Sequence, residues 1–508
     1  MHYQKKYIII FANKKMKKID KMKGIVMFKK ITVAVAKGDG IGGEIMNATL
    51  KILNAAKVPL DFNYVNMGKE FYLKGFSTGM TPEAQTTVES TRILLKGPME
   101  TPKGTGVKSI NVTARKVWST FANKRVFQTL PGVETVFSKA GININLTMFR
   151  ENIEDTYGGI EHYQTHDVAQ CRRLITRMGC EQIHRAAFEM AKNKPGSRVT
   201  CGHKSNIMKL TDGLFLKTFY DIAKEYPNVK VDDAIVDDLA MKLVTRPDKY
   251  DIIVLPNLQG DIMSDLCAGL VGGLGMAPSA NLGDEVSIFE AVHGTAPDIV
   301  GKNIANPTAL LMSSLMMLRH LGLYNYADYI DKGLKTALKN GIRTSDLTNL
   351  QGIKPVSTIE FADGIIKAME MEPMVEQEYP NIKKTTKIPM SNLMMSSPRK
   401  TTEETVGVDI FVDTTISPLE LANKIQLLLP QNMELVMISN RGTQVWPKGS
   451  VFTQCVNHYR CRLQSKMLID ETFLLNVASI ISKNIRVCSL EMLRKIDGKE
   501  MFTLAQGQ

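Results

Sequence analysis

The chain has no cysteine pair of the C-x-x-C type, although seven cysteines are spread over its 508 residues. An odd, unpatterned set argues against a disulfide framework or a zinc site and fits reduced thiols in a cytoplasmic compartment. No apolar run approaches the ~20 residues a helix needs to cross a bilayer. The stretch Y-I-I-I-F-A (Tyr7–Ala12) is short for a signal-peptide core, is followed by lysines and lacks a small-residue cleavage site. No membrane partner is expected. Aromatics are sparse at 7%, and the C-terminal region lacks an R-G-F-G-F-V-like run of the RNA-binding kind.

Positive charge is plentiful but badly distributed for binding nucleic acid. Of the net +13, residues 1–30 supply +9, from ten lysines against one acid, Asp20. The other 478 residues share +4, which gives the folded body no basic footprint. Residues 1–30 lack the arginines and serines of a mitochondrial presequence. Met27 opens M-F-K-K-I-T-V-A-V immediately before the first strand pattern. We read 1–30 as a basic, disordered extension.

What is present is a soluble α/β texture, with 44% hydrophobic and 23% charged residues in a chain long enough for two or three domains. Strand-like runs at Ile31–Ala36, Leu60–Val65, Asn143–Phe149, Ser197–Cys201 and Asp251–Leu255 alternate with helical periodicity. The helical stretches are Glu44–Ala56, Gln182–Ala191, Gly213–Glu225, Thr308–Leu321 and Phe361–Met369. Between 371 and 403 the texture turns to Met, Pro, Ser, Thr and Lys with four prolines, the composition of a linker. Beyond it, residues 404–508 read β-α-β-β-α-β, a separate α+β domain of the split-βαβ kind.

Several segments carry chemistry. G-D-G-I-G-G (Gly38–Gly43) matches G-x-G-x-x-G between a strand and a helix. Asp61, however, opens the second strand instead of ending it, so a tight turn is the better reading than a Rossmann site. S-I-N-V-T-A-R (Ser109–Arg115) sets a hydroxyl, an amide and a guanidinium two and four residues apart, enough to line one pocket edge, and Arg125 and Arg150 follow. Guanidinium forks suit planar carboxylates, although each arginine alone is more often a solvated charge. Lys204 follows strand S-R-V-T-C, at the carboxyl end where α/β sites gather. In N-L-Q-G-D-I-M-S-D (Asn257–Asp265), Asp261 and Asp265 share a helix face and ask for a cation. The plainer alternative is a solvated acidic face, but the apolar flanks argue for burial. Asp237 or Asp238 ends a further strand, and Glu290–Pro307 forms a long loop bounded by glycine and proline.

Five motifs in order, T-P-K-G-T-G-V-K-S-I-N-V-T-A-R, F-R-E-N-I-E-D-T-Y-G-G-I-E, H-K-S-N-I-M-K-L, N-L-Q-G-D-I-M-S-D and H-G-T-A-P-D-I-V-G-K-N-I-A-N-P, resemble the β-decarboxylating isocitrate/isopropylmalate dehydrogenase family. M-I-S-N-R-G-T-Q-V-W-P and H-Y-R-C-R resemble the isocitrate dehydrogenase subtype with an added C-terminal domain. The resemblance runs from about Ile31 to the C-terminus. It implies a body over 31–370 with that family's fold, not a Rossmann fold, and a homodimer with shared active sites. It further implies that Ser109, Asn111, Arg115, Arg125 and Arg150 hold isocitrate and that Tyr157 and Lys204 are the acid–base residues. Asp261 and Asp265 would bind Mg2+ or Mn2+ with Asp237 of the second subunit, which lies at the family interval of 24 residues before Asp261. Lys96, Thr101 and Asn206 would lie near substrate and nicotinamide, and Glu290, His293, Gly294, Thr295 and Asn306 would frame adenosine. NADP-using members commonly carry Lys-Tyr after H-G-T-A-P. Here the pair is Asp298-Ile299, which implies NAD over NADP, since a carboxylate accepts from a ribose hydroxyl but repels a phosphate. Homoisocitrate and 3-isopropylmalate are the rival substrates, and a small-ligand or assembly role is open for the C-terminal domain.

Overall fold

The computed structural model describes residues 30–100, 109–348, 353–371, 373–375, 377 and 401–504. Apart from Lys30, the expected basic extension lies outside the described residues, as do most of the linker and Thr101. Strands are numbered along the chain. β1 (Ile31–Ala36), β2 (Leu60–Tyr64), β3 (Ile93–Lys96), β4 (Ala122–Gln128) and β5 (Asn145–Glu151) come first. β6 (Glu161–Tyr163) and β7 (Ala169–Cys171) form a separate hairpin. β8 (Arg198–His203), β9 (Lys230–Ile235), β10 (Ile252–Leu255), β11 (Pro278–Leu282) and β12 (Ser287–Ala291) complete the main sheet.

That sheet is ten strands wide, ordered β2-β1-β3-β12-β11-β4-β5-β10-β8-β9. It consists of two parallel halves, β2-β1-β3-β12 and β5-β10-β8-β9, joined through antiparallel β11 and β4. Parallel strands covered on both faces read as unbroken apolar runs, and all four residues of β10 (I-I-V-L) are buried. The first half packs against helices Gly42–Ala55, Thr308–His320, Tyr324–Lys339 and Thr358–Glu370. The second half carries Arg177–Lys192 and Thr211–Ala223 on one face and Val236–Thr245 and Asn257–Leu270 on the other. Helix starts follow local chemistry: Ser357 and Glu360 form a capping box, and the Thr176 hydroxyl accepts from the Gly179 amide at 3.0 Å.

The glycine-rich segment is a packing turn. Gly38 and Gly40 take positive φ (75° and 58°), and a Cβ on Gly40 would stand 2.2 Å from the Thr295 carbonyl oxygen. Three of its amides are already committed. Asp39 donates to Pro98 O (2.7 Å), Ile41 to Thr295 O (3.0 Å) and Gly42 to Asp39 O (3.0 Å). The turn thus spends the Asp39 and Ile41 amides on holding neighbouring loops, and Asp61 is an exposed partner of Lys30 at 3.1 Å.

The C-terminal domain has β13 (Glu403–Asp413), β14 (Met433–Asn440), β15 (Thr443–Trp446), β16 (His458–Ser465), β17 (Arg486–Ile496) and β18 (Lys499–Glu500). They form an antiparallel sheet ordered β15-β14-β16-β13-β17-β18, with helices Pro418–Gln426 and Glu471–Ser482 packed on one face. The expected β-α-β-β-α-β order is present, with two short strands added. β15 follows from Arg441-Gly442, both at positive φ (51° and 80°), the backbone of a tight hairpin turn.

Within this sheet Asp409 holds the buried Arg462 guanidinium by two 2.8 Å bonds. Replacing Asp409 by alanine strands that cation, and a cost of about 3–5 kcal/mol is expected. Urea unfolding of the full chain followed from the tryptophan at 446 in β15 tests this. A loss below ~1 kcal/mol would contradict the account.

Candidate active site

The site is built at the break between the half-sheets, where β4 and β11 run against their neighbours. Arg125 projects from β4, Arg150 from the end of β5 and Arg115 from helix Ile110–Val117. Helix Asn257–Leu270 follows the buried strand β10 and brings Asp261 and Asp265 to the same place. Gly260 allows this approach, because a Cβ there would lie 2.7 Å from Arg150 Cγ.

Asp261 is the centre of the arrangement. Its Oδ1 accepts from Arg150 Nη1 and lies 3.4 Å from Arg125 Nη2, while Tyr157 OH donates to Oδ2 at 2.5 Å. Arg125 Nη1 is 3.7 Å from Asp265 Oδ1, so one guanidinium spans both helix carboxylates. Burial pushes the Asp261 carboxyl up, but Arg150, Arg125 and the tyrosine outweigh it and hold its pKa below the usual range. Burial raises that of Asp265, with the charge on Asp261 adding to it. The Arg150 guanidinium is pulled down to about 9 by burial and by repulsion from Arg125 and Arg115, and it stacks 4.8 Å from the Tyr157 ring. Burial also raises the Tyr157 hydroxyl, which keeps it a proton carrier at neutral pH.

A second centre lies behind the first. Glu290, buried on β12, pairs with Lys96 and stands 3.3 Å from Arg115 Nη2, and Asn281 donates to it at 2.7 Å. Burial raises the Glu290 carboxyl, but Lys96 and Arg115 overcome this and bring it to about 2. The two centres are wired together. Arg125 Nε donates to Asn123 (2.7 Å), and the Asn123 amide donates to the Asn281 oxygen (2.7 Å). Asn257 braces Arg150 in a similar way, its Oδ1 accepting from Nε (3.0 Å) and Nη2 (2.8 Å).

The remaining expected residues fall into distinct groups. Ser109 stands at the N-terminal boundary of the arginine helix without a side-chain capping bond, and Asn111 donates to Met99 O at 3.5 Å. Asn111 Oδ1 and Arg115 Nε are buried without partners, as suits a pocket edge completed by a polar ligand. Lys204, after β8, pairs with Asp237, whose carboxyl that hydrogen bond holds low. Neither joins Asp261 and Asp265 in one chain: no cluster of three metal-ligating side chains occurs among the described residues. Lys96 and Glu290 are locked together in the second centre, near enough to the loop after β12 to act on His293. In that loop His293 Nδ1 faces Gly294 O at 2.9 Å with its pKa lowered by burial, and Thr295 O receives the Ile41 amide. Asn306 is occupied by Asp346 (2.9 Å) and by the Thr308 amide (3.0 Å). Asp298 is exposed in a 3₁₀ turn, Ile299 is half-buried beside it, and Asn206 is exposed in the turn after Lys204. Asn123, Asn257 and Asn281 were not singled out from the sequence, since nothing local marks an amide that bonds across 100 residues or more.

Fold and cleft together define a two-lobed α/β enzyme with a cationic pocket facing paired carboxylates. Residues 32–365 match the isocitrate/isopropylmalate dehydrogenase family, and residues 403–508 match the bacterial isocitrate dehydrogenase C-terminal domain. The isocitrate dehydrogenase [NADP] of Thermus thermophilus is 42% identical over 480 residues, covering 94% of this chain and 96% of the relative. That of Rickettsia bellii is 40% identical over 486 residues, covering 94% and 99%. A crystal structure of a Thermus thermophilus protein superposes with a TM-score of 0.85 at 40% identity, covering 94% of this chain and 96% of that one. The chain belongs to the isocitrate/isopropylmalate dehydrogenase family.

Glu290 makes a pH prediction. A folded-state pKa below the unfolded one stabilises fully above about pH 4.5, and the benefit is lost as pH falls toward 2. In Glu290→Gln that benefit is absent, while Lys96 is left buried and unpaired. The stability gap between wild type and variant should therefore narrow by about 2 kcal/mol between pH 7 and pH 3 in urea unfolding. A gap that does not change with pH refutes the assignment.

Proposed function

We propose that the chain catalyses the oxidative decarboxylation of isocitrate to 2-oxoglutarate and CO2, with a divalent metal and a nicotinamide dinucleotide. The observation that carries this is the convergence of Arg125 and Arg150 on a helix bearing Asp261 and Asp265, with Arg115 near enough to help hold the Asp261 carboxyl low. Three partly desolvated guanidinium groups match a tricarboxylate. Relatives named isocitrate dehydrogenase span both the body and the C-terminal domain, which favours isocitrate over homoisocitrate or 3-isopropylmalate.

Two hard oxygen ligands on one helix face suit Mg2+ or Mn2+, and Asp265, with 59% of its side chain exposed, leaves room for further ligands. Asp261 and Asp265 would hold the ion with Asp237 of a second copy. When bound, the cation supplies polarisation of the substrate's hydroxyl and carboxylate oxygens, and the nicotinamide supplies the hydride acceptor. The arginines fix the substrate carboxylates. Lys204, with Asp237 beside it, takes the hydroxyl proton, and Tyr157 returns a proton to carbon after CO2 leaves.

Support for a shared site comes from the surface beside Lys204. Helices Val236–Thr245 and Asn257–Leu270 pack together yet expose Met241, Val244, Leu258 and Ile262, and the turn after Lys204 exposes Ile207 and Leu210. Such a patch suits a second copy. Lys204→Met and Asp261→Asn homodimers should each be inactive. If the sites are shared, random mixing of the two chains should restore roughly a quarter of wild-type activity. No recovery sinks the shared-site reading.

For the dinucleotide we favour NAD+. Asp298 is exposed in the loop that on this reading frames adenosine, and a second acid, Glu44, accepts from the Gly301 amide in the same loop at 2.6 Å. Both carboxylates disfavour a 2′-phosphate. The full-length relatives carry NADP in their names, whereas a relative named NAD subunit 2, from Schizosaccharomyces pombe, is 42% identical over 343 residues of the body. Initial rates on isocitrate, homoisocitrate and 3-isopropylmalate with Mg2+ and either dinucleotide test both claims. The expected result is activity on isocitrate with an NAD+ advantage in kcat/KM of about tenfold or more, reduced in Asp298→Lys. A clear NADP+ advantage overturns the preference.

A further inference from the structure

A buried charge cluster outside the substrate cage ties together three parts of the machinery. Arg173, in the segment after β7, donates from Nε to Asp155 Oδ1 (2.5 Å) and from Nη1 to Asp212 Oδ1 (2.5 Å). Both carboxylates are fully buried, so one guanidinium is shared between two acids that solvent does not reach. Each acid then uses its remaining acceptors on backbone amides near the site. Asp155 takes the amides of Thr156 (2.8 Å) and Leu258 (3.0 Å), fixing the turn that carries Tyr157 and the first turn of the Asp261 helix. It does so at φ 66°, an uncommon conformation for a residue with a Cβ. Asp212 takes the Lys204 amide (2.6 Å) and the Gln259 side chain (3.1 Å), joining the end of β8 to the same helix.

We propose that Arg173 is a positioning residue for two active sites at once, setting Tyr157 through Asp155 and Lys204 through Asp212. The inference rests on the reading above in which Tyr157 serves its own site and Lys204 serves that of the second copy. Under it, one side chain controls the proton donor of one site and the proton acceptor of the other. Arg173, Asp155 and Asp212 make no bond to Arg115, Arg125 or Arg150, so their loss should act on turnover more than on binding.

The test uses the full-length dimer. Arg173→Lys keeps the charge but cannot hold both acids in the fork geometry. Its kcat should fall about a hundredfold, while the dissociation constant for isocitrate with Mg2+, measured calorimetrically, stays within about threefold. The decisive measurement is a heterodimer of wild type and Arg173→Lys, isolated through two affinity tags. A residue acting at one site leaves the other intact, and half of wild-type activity remains. Arg173 acting at both should leave about a tenth.

A heterodimer of wild type and Tyr157→Phe should keep about half and serves as the reference. Half activity with Arg173→Lys, or equal losses in binding and turnover with a lowered Tm, overturns the proposal. If Arg173→Lys does not fold, Asp155→Asn and Asp212→Asn replace it, each breaking one arm. Mixed together they should recover roughly a quarter of wild-type activity, and no recovery overturns the two-arm account. Failure of the shared-site reading shows separately, in the Lys204→Met and Asp261→Asn mixture, where Arg173 is intact.

Discussion

A carboxylate between two buried guanidinium groups is the constraint on which the site depends. Arg125 and Arg150 repel each other and are poorly solvated, and Asp261 is the acid that both reach. Desolvated cations near one another are unfavourable unless anions balance them. The described cleft has too few. Lys96, Arg115, Arg125 and Arg150 face Glu290, Asp261 and the more exposed Asp265. If Asp261 and Asp265 turn to a divalent ion, the imbalance grows by two. A ligand with several carboxylates would then restore neutrality, and on the proposed reading metal and substrate would each favour the other's binding.

The sheet explains why these charges meet. The two parallel halves run in opposite senses, because three antiparallel pairings separate β12 from β5, and β4 and β11 connect them without a break in hydrogen bonding. The Asn123–Asn281 contact lies on that connection, with Arg125 on one side and Glu290 on the other. An amide can donate and accept at once. The two asparagines therefore pass polarity between the lobes without adding charge to a crowded site.

What could be read from the sequence follows how local each signal is. The i, i+4 pair of Asp261 and Asp265 is a helical property and was legible at once. The turn at Gly38–Gly43 was legible through the misplaced Asp61, and the structure gives the reason in amides already bonded to Pro98 and Thr295. Strand β15 was missed because its turn, Arg441-Gly442, lies within a motif read for resemblance and not for backbone geometry. Asp155, Arg173 and Asp212 were also out of reach. Their partners are 18 and 39 residues apart along the chain, and any of them alone reads as a solvated charge.

The two consecutive arginines, Arg172 and Arg173, bear on the role left open for the C-terminal domain. Arg173 turns inward to Asp155 and Asp212, whereas Arg172 reaches Glu491 of β17 at 3.1 Å. The hairpin that they follow has three-residue strands, too few to be stable alone. It is held by the C-terminal sheet at Gln164–Ser489 (2.9 Å) and Thr165–Asn457 (3.2 Å). The domain thus braces the segment that carries Arg173. Exposed ion pairs such as Arg172–Glu491 are individually weak. The brace therefore works by limiting where the hairpin can go, and under the proposed role of Arg173 its effect belongs in the placement of Tyr157 and Lys204 more than in global stability.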